Sequence, residues 1–377
     1  MKIAIITETF LPSTDGVVTR LCATIEWLQK NGHEVLIIAP DLGIRKFENA
    51  MIRGVPAHTL FFYRDRKFSL PTSSVKKYLQ EFCPNVVHVV NPALLGLSGV
   101  YYCHHLGLPL VASYHTNIPQ YANYYHFSFL LPLLWQYFRA LHNQADINLC
   151  TSEAVRHELA SRGFKNLYVW KRGVELHQFS PQNYDQEMRE FLTKGHAQKT
   201  LLLYVGRLAA EKGIEKIRTI LESSSDFCLA LIGDGPHRER LENYFKGSQC
   251  LFTGFLHGKE LAKAYASADI FVFPSITETL GLVILEAMAS GLPIVAARTG
   301  PSSEQIADGM TGLLYSPDNL QSLIDAVSKL KEKSIRQEIA NNAYKEASKL
   351  GWDESSQQLL EFYKQACKET ESKTPGT

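Results

Sequence analysis

Two series of short apolar runs, rich in Val and Ile, constrain the fold of this chain more than any other feature. The first is KIAIITE, EVLIIAP, VVHVVN, PLVASYH, ADINLCTS and LYVWKRGV; the second is KTLLLYVGR, FCLALIGDG, CLFTGF, DIFVFPS, PIVAAR and GLLY. A strand covered on one face alternates apolar and polar residues, whereas these runs are apolar almost throughout. That is the pattern of parallel strands buried on both faces. Parallel neighbours need crossover connections, and the ten or more residues between most of the runs suit helices. The reading is α/β: two doubly wound, Rossmann-like domains in tandem, facing a central crevice where the carboxyl ends of both sheets would meet a ligand.

The boundaries follow from the gap between the two series. The first domain spans 1–180 and the second 181–351, with the polar stretch Gln182 to Lys199 as a hinge. Asp353 to Thr370 reads as a final helix, followed by a polar tail. At 377 residues, two domains fit the length. With 39 basic and 38 acidic residues, nothing points to nucleic acid as a partner. Seven scattered cysteines without a C-x-x-C indicate neither a disulfide framework nor zinc. The N-terminus lacks a cleavable signal pattern, and no apolar run reaches the roughly 18 residues that span a bilayer. The expectation is a cytoplasmic protein, peripheral at a membrane surface at most.

The densest chemistry lies in Phe273 to Gly291, FPSITETLGLVILEAMASG. A buried strand gives way to Thr277, Glu278 and Thr279, then to an apolar helix carrying Glu286. Thr279 is the N-cap candidate, which would leave free N–H groups and a positive dipole end suited to a phosphate. A carboxylate in a helix of Leu, Ile, Ala and Met must find donors, and sugar hydroxyls supply them. The plain alternative is an N-cap glutamate and a salt-bridged one. Upstream, Gly206-Arg207-Leu208 leaves a strand and Lys212-Gly213 follows, so Arg207 and Lys212 would form a clamp for a diphosphate. Gly233 to Pro236 reads as a tight turn lining the same crevice. Glu304 would reach a ligand or cap its own helix. There is no D-x-D, no cluster with metal spacing and no nucleophile elbow.

In the first half, Gly16 follows a strand and opens a helix, where glycine lets the backbone approach a phosphate. Asp15 precedes it, and no G-x-G-x-x-G appears. His115 sits at the end of the fourth run, a ligand-facing position in an open α/β sheet. Tyr121 to Phe138 carries Tyr121, Tyr124, Tyr125, Phe127, Phe129, Trp135, Tyr137 and Phe138. That load suits contact with lipid or an apolar acceptor, and equally suits core packing. The basic segment Arg64 to Phe68 suits anionic headgroups or plain solvation.

With Gly206-Arg207, Lys212-Gly213 and Glu278-x7-Glu286 assembled, the chain resembles the retaining glycosyltransferases of family 4, which have the GT-B fold. The resemblance runs from TETFLP to Trp352. It implies that Arg207 and Lys212 bind the donor diphosphate, that Glu286 holds the nucleotide ribose, and that Glu278 holds hydroxyls of the transferred sugar. It further implies that His115 meets that sugar and that Gly16 lies against the phosphates. Gly235, Thr279, Leu280 and Gly281 are expected to line the donor, and Tyr121, Tyr124 and Tyr125 the acceptor. Many members have two glycines in the first loop, where this chain has Asp15 before Gly16. The final helix, 352–370, would return to the N-terminal domain. HVVNPALLGL, SYHTNIPQYANYY, LLW, HNQADINLCTS and WKRGV are most similar to the sulfoquinovosyl diacylglycerol synthase subgroup of cyanobacteria and plastids.

That subgroup implies UDP-sulfoquinovose as donor and diacylglycerol as acceptor. Related sequences use UDP-glucose or GDP-mannose, with acceptors from lipids to soluble molecules such as pterins. The resemblance implies no cofactor and no metal, the nucleotide sugar being a co-substrate. A nucleotide-sugar epimerase and a non-catalytic sugar-nucleotide binding module are the readings from other classes. Product analysis without acceptor separates the epimerase. The complete set Arg207, Lys212, Glu278 and Glu286 argues against the binding module.

Overall fold

The structure, a computed structural model, describes residues 1–60, 63–119 and 128–373, without the side chains of 60, 63–66, 128 and 373. The chain divides into one unit of Met1–Arg172 with Trp352–Thr377, and a second of Gly173–Gly351.

The first unit contains β1 (Lys2–Thr7), α1 (Gly16–Lys30), β2 (Glu34–Pro40), β3 (Lys46–Phe47), β4 (Ala50–Val55), β5 (His58–Leu60), β6 (Tyr63–Phe68), α2 (Ser74–Phe82), β7 (Val86–Val90) and α3 (Leu95–His105). It continues with β8 (Leu110–Tyr114), α4 (Leu131–His142), β9 (Ile147–Cys150), α5 (Glu153–Ser161) and β10 (Leu167–Val169). Eight of these strands form one sheet in the order β10-β9-β8-β7-β1-β2-β4-β3, parallel except for β3. Strand β1 shows why the runs are apolar throughout. Ile3 and Ile5 enter one core with Val18, Leu21 and Ile25 of α1, while Ala4 and Ile6 enter the opposite core with Leu95 and Val100 of α3. Helix α14 (Trp352–Lys373) adds Leu359, Leu360, Tyr363 and Ala366 to the α1 side.

The second unit runs α6 (Gln186–Leu192), β11 (Thr200–Val205), α7 (Arg218–Ser223), β12 (Phe227–Ile232), α8 (Arg238–Tyr244), β13 (Cys250–Gly254), α9 (Gly258–Ala266) and β14 (Ile270–Phe273). Then follow α10 (Leu282–Ala289), β15 (Ile294–Ala297), α11 (Gly300–Gln305), β16 (Gly312–Tyr315), α12 (Leu320–Lys329) and α13 (Lys333–Ala347). Its sheet is wholly parallel, in the order β13-β12-β11-β14-β15-β16. The chain winds outward from β11, returns, and winds the other way from β14. The switch point therefore lies between β11 and β14, where an open α/β sheet has its ligand crevice.

One expected feature is corrected. The polar stretch Gln182 to Lys199 is not a linker between the units but an integral part of the second. Asp185 caps α6 through Met188 N at 2.8 Å. Arg189 donates to the carbonyls of Ala197, Ser267 and Lys199 and pairs with Asp269 at 2.8 Å. Asp185 and Arg189 spend their polar groups on these bonds, while Gln182, Gln186, Glu187 and Gln198 remain exposed.

Candidate active site

The loop after β11 is held by the loop after β12. Gly206 N donates to Ile232 O and Leu208 N to Asp234 O, both at 3.0 Å. A Cβ on Gly233 would stand 2.1 Å from Gly206 O, and one on Gly235 would stand 2.4 Å from Leu208 O. The two glycines are thus required by backbone packed on backbone, which gives Gly235 a structural role that stands with or without a ligand.

On this platform the turn Ala210–Lys212 is closed by Gly213 at φ +62°. It sets the Lys212 ammonium on Oε1 of Glu278, from the loop after β14. Ser275 Oγ donates to the same oxygen at 3.2 Å. The ion pair is largely shielded, its side chains 12% and 23% exposed. Lys212 and Glu278, read separately from the sequence as diphosphate and sugar ligands, are here each other's counter-ions. Arg207, earlier on the same loop, is partly exposed, and its carbonyl accepts from the buried Tyr204 hydroxyl at 3.2 Å.

Helix α10 begins later than the sequence suggests. Its N-cap is Gly281 at φ +67°, not Thr279, and no side chain caps it. Thr279 and Leu280 are buried in the preceding turn, where the Gln305 amide donates to Leu280 O. Only glycine adopts that left-handed backbone at no steric cost, which is why it displaces threonine as the cap. Glu286 then lies inside α10, where Tyr265 Oη of α9 donates to its Oε2 at 2.7 Å. Burial among apolar neighbours pushes the Glu286 carboxyl up to about 7, and the tyrosine bond pulls the other way. Tyr265 and Ser275 are the residues of this cluster that sequence reasoning missed. Glu304 is exposed, and α11 is capped by Thr299 with Ser302, so Glu304 does not cap it.

In the first unit, Asp15 Oδ1 accepts from Val17 N and Val18 N, both at 3.1 Å. The N–H groups that follow Gly16 thus already meet a carboxylate. Glu8 reaches across the β1/β7 switch to the start of α3. It accepts from Ala93 N at 2.9 Å, Gly96 N at 2.8 Å and Leu95 N at 3.1 Å. Burial raises its carboxyl above the ordinary range, against the pull of these bonds. His115 is buried just past β8, with its backbone N–H on Asn91 Oδ1 at 3.2 Å and its Nε2 2.9 Å from Ser113 Oγ.

Tyr121, Tyr124, Tyr125 and Phe127 lie outside the described residues. The remaining aromatics of that stretch divide. Phe138 is core, Trp135 packs on Phe164 beneath the Arg162 guanidinium at 3.9 Å, and Tyr137 Oη donates to Ala93 O. Phe129 and Leu133 are 75% and 63% exposed. Of the basic segment, Arg64 and Arg66 have no described side chains. Among the described residues, no three His, Cys, Asp or Glu side chains are grouped to hold a metal ion. No described helix is long and apolar enough to cross a membrane.

Two family models match the two halves. Residues 14–178 match glycosyltransferase family 4, and residues 186–346 match glycosyl transferases group 1. The chain is 36% identical over 349 residues to the sulfoquinovosyl transferase SQD2 of Arabidopsis thaliana, covering 89% of this chain and 68% of that one. It is 34% identical over 370 residues to a GDP-mannose-dependent alpha-mannosyltransferase of Mycobacterium tuberculosis, covering 96% of each. Among solved structures it is similar to Anabaena HepE, crystallised with UDP-glucose, at a TM-score of 0.78 and 20% identity over 97% of this chain and all of that one. The family models and relatives make the chain a glycosyltransferase, and its two α/β domains have the GT-B fold. The chain belongs to glycosyltransferase family 4.

Proposed function

We propose that this protein transfers a sugar from a nucleotide diphosphate to an acceptor hydroxyl with retention of configuration and without a divalent metal. The donor we favour is UDP-sulfoquinovose and the acceptor diacylglycerol. The observation that carries the chemistry is the Lys212–Glu278 pair at the β11/β14 switch, with Arg207 earlier on the Lys212 loop and, after Glu278, the start of α10, which no side chain caps.

As the bond from the anomeric carbon to the diphosphate oxygen breaks, negative charge gathers on the diphosphate. Lys212, Arg207 and the α10 N–H groups are the preorganised donors for it, each of a kind worth about 3 kcal/mol in a transition state. The sugar becomes oxocarbenium-like, the acceptor oxygen bonds to the same face, and its proton passes to the leaving phosphate. Glu278 accepts from sugar hydroxyls once Lys212 turns to the diphosphate, Glu286 accepts from the ribose, and His115 contacts the sugar. The cations that bear on the diphosphate come from the chain itself, which supports turnover in EDTA.

The likeness to SQD2 and the subgroup segments support the sulfoquinovosyl reading, and the exposed Phe129 and Leu133 suit insertion at a bilayer. A second reading, GDP-mannose as donor, has the support of the mannosyltransferase likeness. The test is a matrix assay in EDTA. UDP-sulfoquinovose, UDP-glucose and GDP-mannose are each offered with diacylglycerol liposomes and with a soluble pterin. Sulfoquinovosyl lipid is the expected product. Mannosyl transfer alone overturns the donor, and transfer to pterin alone overturns the lipid acceptor.

A further inference from the structure

Three side chains line up behind His115. Tyr363 Oη lies 2.8 Å from His88 Nδ1, His88 Nε2 lies 2.8 Å from Ser113 Oγ, and that hydroxyl lies 2.9 Å from His115 Nε2. The links come from α14, β7 and β8, and Tyr363, His88 and Ser113 are wholly shielded from solvent.

The direction of the relay follows from its protons. Among the described residues His88 Nδ1 is the one partner of the Tyr363 hydroxyl. If His88 donated from Nδ1, the phenolic hydrogen would be left in the core with no acceptor, which is costly. Tyr363 therefore donates, and neutral His88 carries its proton on Nε2 and donates to Ser113. Among the described residues the Ser113 hydrogen then has one acceptor, His115 Nε2, and the His115 proton stands on Nδ1.

The surroundings keep both imidazoles neutral. The Arg20 guanidinium lies 3.4 Å over the Trp170 ring and donates to the carbonyls of Trp170 at 3.1 Å and Lys171 at 2.5 Å. The same indole meets His88 and His115 edge-on at 6.0 and 5.7 Å. Burial, and then the charge of Arg20, depress both imidazoles, His88 to about 3.

We propose that Tyr363, His88 and Ser113 are positioning residues that hold His115 as its neutral Nδ1–H tautomer. Its Nδ1 is then a donor to whatever oxygen it meets, a hydroxyl of the transferred sugar in the reading above, on which this step rests. The C-terminal helix supplies the first proton of the relay.

Long-range proton–nitrogen NMR on histidine-labelled protein tests this, with His88→Gln and His115→Gln used for assignment. In the wild type, His115 Nε2 should be of the unprotonated type, and in His88 that nitrogen should be Nδ1. Tyr363→Phe removes the donor, and His115 should become a mixture of tautomers. The kcat should fall at least about tenfold, towards the ~10⁴-fold lost when a triad histidine takes the wrong tautomer. The donor KM should stay within about twofold. Ser113→Ala breaks the relay without touching α14 and should act alike, which covers the case in which Tyr363→Phe does not fold. A wild-type His115 protonated on Nε2, or a tautomer unmoved in both variants, overturns the relay. A moved tautomer with unchanged kcat overturns the positioning role. Failure of the wild type to bind UDP or GDP, read by calorimetry, counts against the transferase reading instead and leaves the NMR result standing.

Discussion

Tyr265 Oη donates to Glu286 Oε2 across 2.7 Å, joining two helices of the second domain through a carboxylate that is acidic only with difficulty. The folded chain holds this proton more tightly than the unfolded chain, whose glutamates titrate near 4.5. The stability contributed is complete below about pH 4.5 and is lost as pH rises towards 7. Glu286→Gln should therefore flatten the pH dependence of thermal unfolding between about pH 5 and 8 and raise Tm at pH 8. Donor kcat/KM in the wild type should rise as pH passes through about 7, as the carboxylate becomes able to hold the ribose. Tyr265→Phe should move that rise to higher pH.

Lys212→Ala should lower turnover by about 10²-fold or more with the fold intact. Glu278 would keep its Ser275 bond and lose its cation, at a cost of about 1–3 kcal/mol in denaturant unfolding. Wild-type turnover in this variant removes the clamp from the mechanism.

Gly233→Ala places a methyl 2.1 Å from Gly206 O at a position with φ of +126°. Steric overlap and backbone strain together should cost roughly 3 kcal/mol or more. Urea unfolding reads the loss, and a midpoint equal to wild type would contradict the close crossing of the two loops.

Glu8→Ala deprives Ala93, Leu95 and Gly96 of their common acceptor at the start of α3. The helix has no other side-chain cap, so a loss of about 1–3 kcal/mol follows. Hydrogen exchange at those three amides should quicken first, and Glu8→Gln should restore part of the protection.

Phe129→Asp with Leu133→Asp should weaken binding to anionic vesicles several-fold while leaving nucleotide affinity unchanged. Sedimentation with lipid checks this, and undiminished binding would assign membrane contact elsewhere.

The strands were legible because a parallel sheet covered on both faces writes itself as unbroken apolar runs. Strand β4, AMIRGV, escaped notice because it lies next to the sheet edge and exposes Met51 and Arg53 between buried neighbours. Gln182 to Lys199 misled because composition cannot distinguish a solvated polar residue from Arg189 spending its donors on four oxygens. Thr279 had the chemistry of a cap, yet the turn after Glu278 reverses through a left-handed residue that suits only Gly281. The motif spacing placed Lys212 and Glu278 at one sheet edge, but not their bond to each other. Tyr265 and Tyr363 were invisible for a different reason. Each acts on a residue outside its own element, Glu286 lying 21 positions from Tyr265 and His88 275 from Tyr363, and no helix or strand periodicity records such a partner.

The placement of α14 also bears on how the polypeptide is born. A ribosome that has released Met1–Arg172 has made the entire eight-stranded sheet but not Leu359, Leu360 or Tyr363, so the α1 side remains unfinished until nearly two hundred further residues emerge. Throughout that interval the nascent first domain presents bare apolar surface, a target for chaperones, and the buried relay behind His115 lacks its first member. Completion of the first domain's core is thus deferred until α14 has been synthesised.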